Sequence, residues 1–369
     1  MRLGSGRREE QGMLEVFTAG GISVDNIVAA DGTVQCNVLG GNAVYSAAGA
    51  RLWLDDVGIL GLVPRNYPVD WLERVKAARI RTEGIAVVEE QLDLSEWFFY
   101  RDDGSRIDQL HAAPDAFSDF GLSGPRISMA DAARFAEHLK GAPAQGRGFD
   151  AFRLDHPVLI ERLPQSYSAA KGAHLAANRP DALRRMARAL YDSAILVTLD
   201  PGSNAPRLAA ERPVLGLPAL DVFLPSEREL EVLTPPGTTA QRLGYLVASG
   251  VPAAVVKMGA QGSMVAGAGL AAPVAIGPFP VQALDPTGAG DAYCGGFLAG
   301  FVRTRDILIS ACLGTVSASF AVEAFGPFHL MEAARASARE RLAILIDHLP
   351  KPLAASVKAA VPNFARVFP

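Results

Sequence analysis

Between Asp285 and Tyr293 the chain reads Asp-Pro-Thr-Gly-Ala-Gly-Asp-Ala-Tyr, residue types that in this order can do chemistry. Gly288, Ala289 and Gly290 make a small-residue turn, Asp291 follows at once, and the apolar run Cys294 to Phe301 predicts a helix. A glycine turn opening a helix presents unpaired backbone N–H groups and the positive end of the helix dipole, which suits a phosphate. A carboxylate in the first helical turn can take a proton from a hydroxyl lying beside that phosphate. The segment therefore points to movement of a phosphoryl group onto an alcohol. Taken alone, Gly-Ala-Gly-Asp also suits an ordinary loop closed by a capping Asp.

The longer string, with Gly295-Gly296-Phe297 after it, resembles the C-terminal signature of the PfkB (ribokinase-like) carbohydrate kinases. The resemblance implies Asp291 as the catalytic base and Gly288, Ala289 and Gly290 as the anion hole. Gly40-Gly41-Asn42-Ala43-Val44-Tyr45-Ser46-Ala47-Ala48 is similar to the family's N-terminal signature. The family has Asn where Tyr45 stands and one more residue before Ala50-Arg51-Leu52, so the bulky ring would alter the acceptor pocket. Gly40, Gly41 and Asn42, with Asp25 after a glycine-containing strand, are then the substrate-binding residues. Asp25 can accept two hydroxyls, and Asn42 offers both donors and an acceptor. Without the resemblance, the two glycines shape a tight strand-to-helix turn and Asp25 is a solvated loop acid.

Leu224-Pro225-Ser226-Glu227-Arg228-Glu229-Leu230 is similar to the family's Asn-x-x-Glu motif, with Ser226 in place of the Asn. Glu229 would organise Mg²⁺ through water, and Ser226 would lie on the nucleotide side. Ser-x-x-Glu is equally a helix capping box. Val255 to Ser263 looks like the nucleotide-side strand and turn, with Lys257 neutralising phosphate and Gly259 and Gly262 letting the nucleotide approach the backbone. The alternative for Lys257 is a surface lysine. The resemblance further implies ATP and Mg²⁺ as cofactors, an adenine wall near Thr315 to Ser319, and a monovalent cation, K⁺, beside Asp285 and Thr287.

These residues need elements to hold them. Glu15 to Asp25 reads as one buried strand ending in a polar site; further strands are predicted near Thr33 to Leu39, Val57 to Val63, Ile85 to Glu89, Ala194 to Leu199, Val222 to Pro225 and Ala253 to Gly259. Helices are predicted over Asn42 to Leu54, Trp71 to Ala78 and Ala182 to Tyr191. Short apolar runs alternating with helices imply a mostly parallel sheet between helix layers, with ligands beyond the carboxyl ends of the strands. Asp25, Asp200, Ser226, Glu229, Lys257 and Gly259 sit at or just past such ends. Trp97-Phe98-Phe99-Tyr100 before the turn Asp102-Asp103-Gly104-Ser105 suggests a small β flap with Asn26 to Val38. The expected fold is thus a three-layer α/β/α ribokinase-like fold with a mostly parallel central sheet and a small β lid. Its kinase domain would span 14–349, with lid segments about 26–39 and 94–112, a disordered tail at 1–13 and a C-terminal extension at 350–369. Residues about 114–172 fit no element clearly, and Gly141 to Gly148 reads as a loop.

The chain has 369 residues, 49% of them hydrophobic and 20% charged, an ordinary globular mixture. A net charge of −4 gives no general attraction to nucleic acid or membrane. The cysteines Cys36, Cys294 and Cys312 form no CxxC pair, which fits a reducing, cytoplasmic setting, and six scattered histidines lack metal-ligand spacing. No G-x-x-x-x-G-K-[ST] occurs, so a P-loop kinase is discounted. Gly267-Ala268-Gly269-Leu270-Ala271-Ala272 fits a dinucleotide fingerprint on paper, but Pro273 and a β-like run follow where a helix is needed. The expected activity is transfer of the ATP γ-phosphate to a sugar or sugar-like hydroxyl. A nucleoside kinase of the same fold, or an inactive ligand-binding descendant, remains open, as does a homodimer through the lid.

Overall fold

The chain is built on two sheets of unequal size. The computed structural model describes residues 13–102, 104–141, 148–176, 178–210, 219–267, 269–360 and 367–368. The expected tail, apart from Met13, lies outside these residues, as do 142–147 of the expected loop, Asp103 of the hairpin turn and Ala268 of the glycine-rich turn.

The strands in chain order are β1 (Val16–Ala19), β2 (Ser23–Val28), β3 (Val34–Gly40), β4 (Val57–Pro64), β5 (Ile80–Val88), β6 (Ser95–Tyr100) and β7 (Arg106–His111). They continue as β8 (Gly172–Leu175), β9 (Leu196–Leu199), β10 (Val222–Phe223), β11 (Ala253–Lys257), β12 (Ser263–Gly267) and β13 (Val274–Ile276). The large sheet runs β13-β12-β11-β10-β9-β8-β1-β4-β5. Its pairs are parallel from β11 to β5, and only the β11–β12 and β12–β13 pairs are antiparallel. Strands β1 and β4 are buried along their whole length, as continuous apolar runs between helix layers should be.

Helices Asn42–Arg51, Ala289–Thr304 and Ile307–Ala321 pack on one another, while Pro180–Asp192 and Thr239–Ala248 pack on β8, β9, β11 and β12. The first two of these approach at backbone distance. A methyl on Gly49 would strike the Ala292 backbone, and one on Gly295 would strike the Ser46 carbonyl. Only glycine allows that approach, and it draws the two helix N-termini into one cleft.

The small sheet, ordered β3-β2-β6-β7, is the lid. One expectation fails here. Glu15 to Asp25 is not a single strand. It breaks at Gly20-Gly21, so that β1 joins the large sheet and β2, carrying Asp25, joins the lid. The Gly21 N–H donates to Asn42 Oδ1 at 2.7 Å, which fixes the bend.

The segment the sequence left unplaced covers the lid. Helices Ala116–Asp119 and Met129–Gly141 bring Phe117 and Phe135 onto Val28, Val34, Trp97 and Phe99, forming a second core. The Phe135 ring lies 5.0 Å from Trp97, 5.8 Å from both Phe99 and Phe117, and 5.4 Å from Phe120. The other lid face carries Ile27, Val38, Phe98 and Tyr100. At the far end of the chain, Val357 enters the main core and Phe368 meets Trp53 edge to face. Among the described residues no helix is long and apolar enough to cross a membrane.

Phe135→Ala removes the ring at the centre of the second core and is expected to cost about 3–5 kcal/mol of local stability. Hydrogen exchange should rise in β6, β7 and helix Met129–Gly141 and stay unchanged in the large sheet. Uniform loosening of both sheets would contradict a separate lid core.

Candidate active site

Helix Ala289–Thr304 opens at Gly288, whose φ of 72° is the left-handed conformation. A side chain at 288 would also overlap the Tyr45 ring. Tyr45, the departure from the family pattern, is fully buried and packs beneath this turn. First-turn amides have no helical acceptor behind them. The Ala289 N–H turns back to the Pro286 carbonyl at 3.2 Å, so the free donors of the turn are fewer than the three expected.

Asp291 stands in this first turn, half-buried, and keeps an opening to solvent. Burial, then the nearby Asp200 carboxylate, pushes it up to about 7, with Lys257 and Arg106 pulling the other way. Lys257 is not a surface lysine. Its Nζ is ion-paired with Asp200 and lies 3.6 Å from Cys294 Sγ, and the pair is largely buried. A methyl on Gly290 would sit 3.6 Å from the same ammonium. Burial opposes its charge, but Asp200, Cys294, Glu229 and Asp291 outweigh that and hold it well above the usual lysine value.

Ser226 and Glu229 form the capping box of helix Glu227–Leu233. The Ser226 N–H donates to Glu229 Oε2 at 2.7 Å, and the Glu229 N–H donates to Ser226 Oγ at 3.4 Å. Ser226 is also bridged to Lys257 across the parallel strand ends. Burial, then Asp200, raises the Glu229 carboxyl from its ordinary value. Gly259 and Gly262 both take positive φ in the turn between β11 and β12, and Gly262 lies against the Ile276 carbonyl.

On the acceptor side Asp25 is buried in β2 with the Gly40 backbone against its carboxylate, and Ser23 Oγ donates to its Oδ1 at 2.7 Å. Burial pushes it up to about 7, the serine opposing. Gly41 caps helix Asn42–Arg51 at a φ of 104°. Asn42 holds Gly21 through Oδ1, which leaves its amide nitrogen and the second lone pair of that oxygen for a ligand.

Asp285 is fully buried. Its Oδ1 accepts from the Thr287 N–H at 2.9 Å and its Oδ2 has no partner among the described residues, while burial pushes the carboxyl up to about 6. The Tyr45 hydroxyl is likewise buried without a partner. Thr287 Oγ1 meets Tyr100 Oη at 2.7 Å, and Arg106 Nη1 donates to that phenol at 3.3 Å. The lid is therefore fastened to the Asp285–Gly290 turn.

Tyr100, Arg106 and Asp200 were missed as site residues. The Trp97–Tyr100 run and the strand end at Asp200 were visible, but their reach across the cleft was not. Along the expected adenine wall Thr315, Ser317 and Ser319 are buried and bond their hydroxyls to the carbonyls of Ala311, Gly49 and Val316. His174, Asp200 and Cys294 do approach one another with metal-ligand spacing among the described residues. The Lys257 ammonium already neutralises Asp200 there, and His174 Nδ1 pairs with Thr198 Oγ1 at 2.9 Å.

Residues 164–334 match the model described as pfkB family carbohydrate kinase. A Burkholderia thailandensis nucleoside kinase solved with ADP-inosine superposes with a TM-score of 0.65 at 16% identity, over 91% of this chain and 97% of that one. The fold is ribokinase-like. The family resemblance read from the Asp285–Tyr293 signature is thereby borne out, while the Gly40–Leu52 signature lies outside the matched residues. An Escherichia coli protein described as a Ribokinase II, solved with ATP and Mg²⁺, gives a TM-score of 0.64 at 17% identity, over 90% of this chain and 99% of that one. A cytidine kinase of Thermococcus kodakarensis is 22% identical over 320 residues, covering 86% of this chain and 99% of its own. Together these support a nucleoside or sugar kinase.

Asp25 also carries a stability test. Its folded value, about 7, lies above the ordinary 3.8, so between those two the native state holds a proton the unfolded chain has lost. Stability then falls as pH rises through that window. Asp25→Asn is expected to raise stability by on the order of 2 kcal/mol near pH 8 and to lose the advantage near pH 4. A variant that melts lower than the parent at the higher pH would refute the burial of charge at this site.

Proposed function

We propose that the chain transfers the γ-phosphate of ATP to a hydroxyl of a nucleoside. The observation that carries this reading is the position of Asp291, half-buried in the first turn of a glycine-opened helix, with Arg106 of the lid acting on both its carboxylate and that of Asp25. The choice of a nucleoside rests on the cytidine kinase relative, which aligns along nearly all of its own length. The second reading, a sugar acceptor, is favoured by the description of the matching family.

Asp25 and the amide nitrogen of Asn42 hold the acceptor against the Gly40–Gly41 backbone. Asp291 accepts the proton from the acceptor hydroxyl. The amides of Gly288 and Gly290, with the helix dipole, stabilise charge gathering on the transferring oxygens, so catalysis is mostly positioning and electrostatics. Lys257, at the edge of Gly290, adds a fixed positive charge, and Arg106 supplies another from the lid. The Glu229 carboxylate keeps Oε1 clear of the capping box, so hard oxygen chemistry suited to hydrated Mg²⁺ is present. That ion, when bound, neutralises charge on the β- and γ-phosphates. The unpartnered Asp285 Oδ2 and Tyr45 hydroxyl suit a desolvated monovalent cation such as K⁺ beside Thr287.

Asp291→Asn should lower turnover by about 10²–10⁴ with the fold retained, and near-normal ADP release would remove Asp291 from the role. Because protonation silences a carboxylate base, kcat/KM of the parent should fall as pH drops through about 7. The acceptor is settled by ADP release over a panel of nucleosides and sugars. Activity with sugars alone would select the second reading, and ligand-dependent melting without ADP would reject both.

Replacing K⁺ by tetramethylammonium at constant ionic strength should lower kcat, and Asp285→Asn should remove the difference. Equal rates in both salts would exclude a cation at Asp285.

A further inference from the structure

Away from the cleft, at the C-terminal end of helix Asn42–Arg51, a cavity of about 410 Å³ opens. Its lining includes Arg51, Arg74, Arg79, Phe328, Met331 and Glu332. The lining thus holds three arginines and one carboxylate beside apolar residues, and the volume falls within the range of small-molecule sites. The guanidinium of Arg74 stacks 3.4 Å from the centre of the Phe328 ring, and its pairing with Glu332 is loose, at 3.9 Å and largely exposed. Such exposed pairs contribute little. Arg51 is held in place by donating Nε to the Ala78 carbonyl at 3.2 Å and Nη1 to the Leu54 carbonyl at 3.1 Å. Burial, then the neighbouring Arg335, lowers it from the ordinary arginine value, with Arg79 adding to this and Asp55 and Asp56 opposing it.

Arg79 is the decisive residue. Its φ of 61° puts a long side chain in the left-handed position just past helix Val69–Ala77, where glycine or asparagine ordinarily closes a helix. Holding a non-glycine residue there costs about 1 kcal/mol. The backbone needs no arginine for this turn, since the closing bond from the Arg79 N–H to the Lys76 carbonyl at 2.9 Å is a main-chain contact. Ala194 and Arg305 close helices Pro180–Asp192 and Ala289–Thr304 in the same conformation, so what sets Arg79 apart is that it lines the cavity together with Arg51 and Arg74.

We propose that this cavity is a second ligand site, distinct from the catalytic cleft, for a small molecule bearing a phosphate monoester. The arginines take the phosphate oxygens in the forked geometry guanidinium favours, and the body of the ligand rests on Phe328 and Met331. The same chemistry is offered by free inorganic phosphate and by phosphorylated metabolites. This inference does not depend on the kinase reading.

The test is calorimetric titration of the full chain, saturated with a non-hydrolysable ATP analogue and Mg²⁺, with inorganic phosphate and with 5′-CMP. Binding that survives the analogue and weakens about tenfold in Arg79→Gly is expected, the worth of one charge-assisted partner. Tighter binding of 5′-CMP identifies a phosphorylated metabolite, and equal binding identifies free phosphate. Glycine suits the conformation at 79, so this variant should melt no lower than the parent, and Arg74→Gln provides an independent loss of charge. Affinity weaker than about 1 mM for both probes, or affinity unchanged in both variants, would overturn the proposal.

Discussion

The site exists because two helices touch without side chains between them. Gly49 faces the Ala292 backbone and Gly295 faces the Ser46 carbonyl, so helices Asn42–Arg51 and Ala289–Thr304 lie closer than any larger residue would permit. Their N-termini then share one cleft, with Asn42 and the Gly40–Asp25 contact on one side and Gly288 and Asp291 on the other. Ser317 seals the join, accepting from Trp53 Nε1 at 2.9 Å and donating to the Gly49 carbonyl at 3.0 Å. A methyl group at either glycine would separate acceptor grip from base by about its own width, and misplacement on that scale is costly for in-line transfer.

Into this cleft the fold packs more carboxylates than cations. Asp25, Asp285, Asp291 and Glu229 are all raised by burial, and Lys257 directly neutralises only Asp200. Buried charge of one sign is unfavourable for folding. It also keeps a base near the working pH and leaves oxygens ready for cations and hydroxyls. The strain is confined to the mouth of the cleft, while the sheet behind it is continuous apolar packing.

Much of this could be read from the chain because it is local. The Asp285–Tyr293 string opens its own helix, the apolar runs at Val57 and Ala253 become the strands they resemble, and Ser226 to Glu229 makes the capping box its spacing allows. What escaped depends on distant partners. The Asp200–Lys257 pair joins positions 57 residues apart. The break at Gly20-Gly21 is concealed by apolar residues on both sides, and is set by Asn42. Phe117, Phe120 and Phe135 carry an apolar face, but nothing in their own spacing says that its partner is the back of Trp97.

That covered back gives the lid an unusual thickness. Both sides of its sheet are already lined with side chains, one by the chain's own helices and the other by the cleft. The outer aromatic cluster, with Phe117 and Phe135 against Trp97 and Phe99, therefore belongs to the flap and not to the large sheet. The inner face carries Ile27, Val38, Phe98 and Tyr100, and the Tyr100–Thr287 hydroxyl pair ties it to the turn beneath. The leaf is thus held rigid by a core of its own, through contacts that do not pass by way of the cleft.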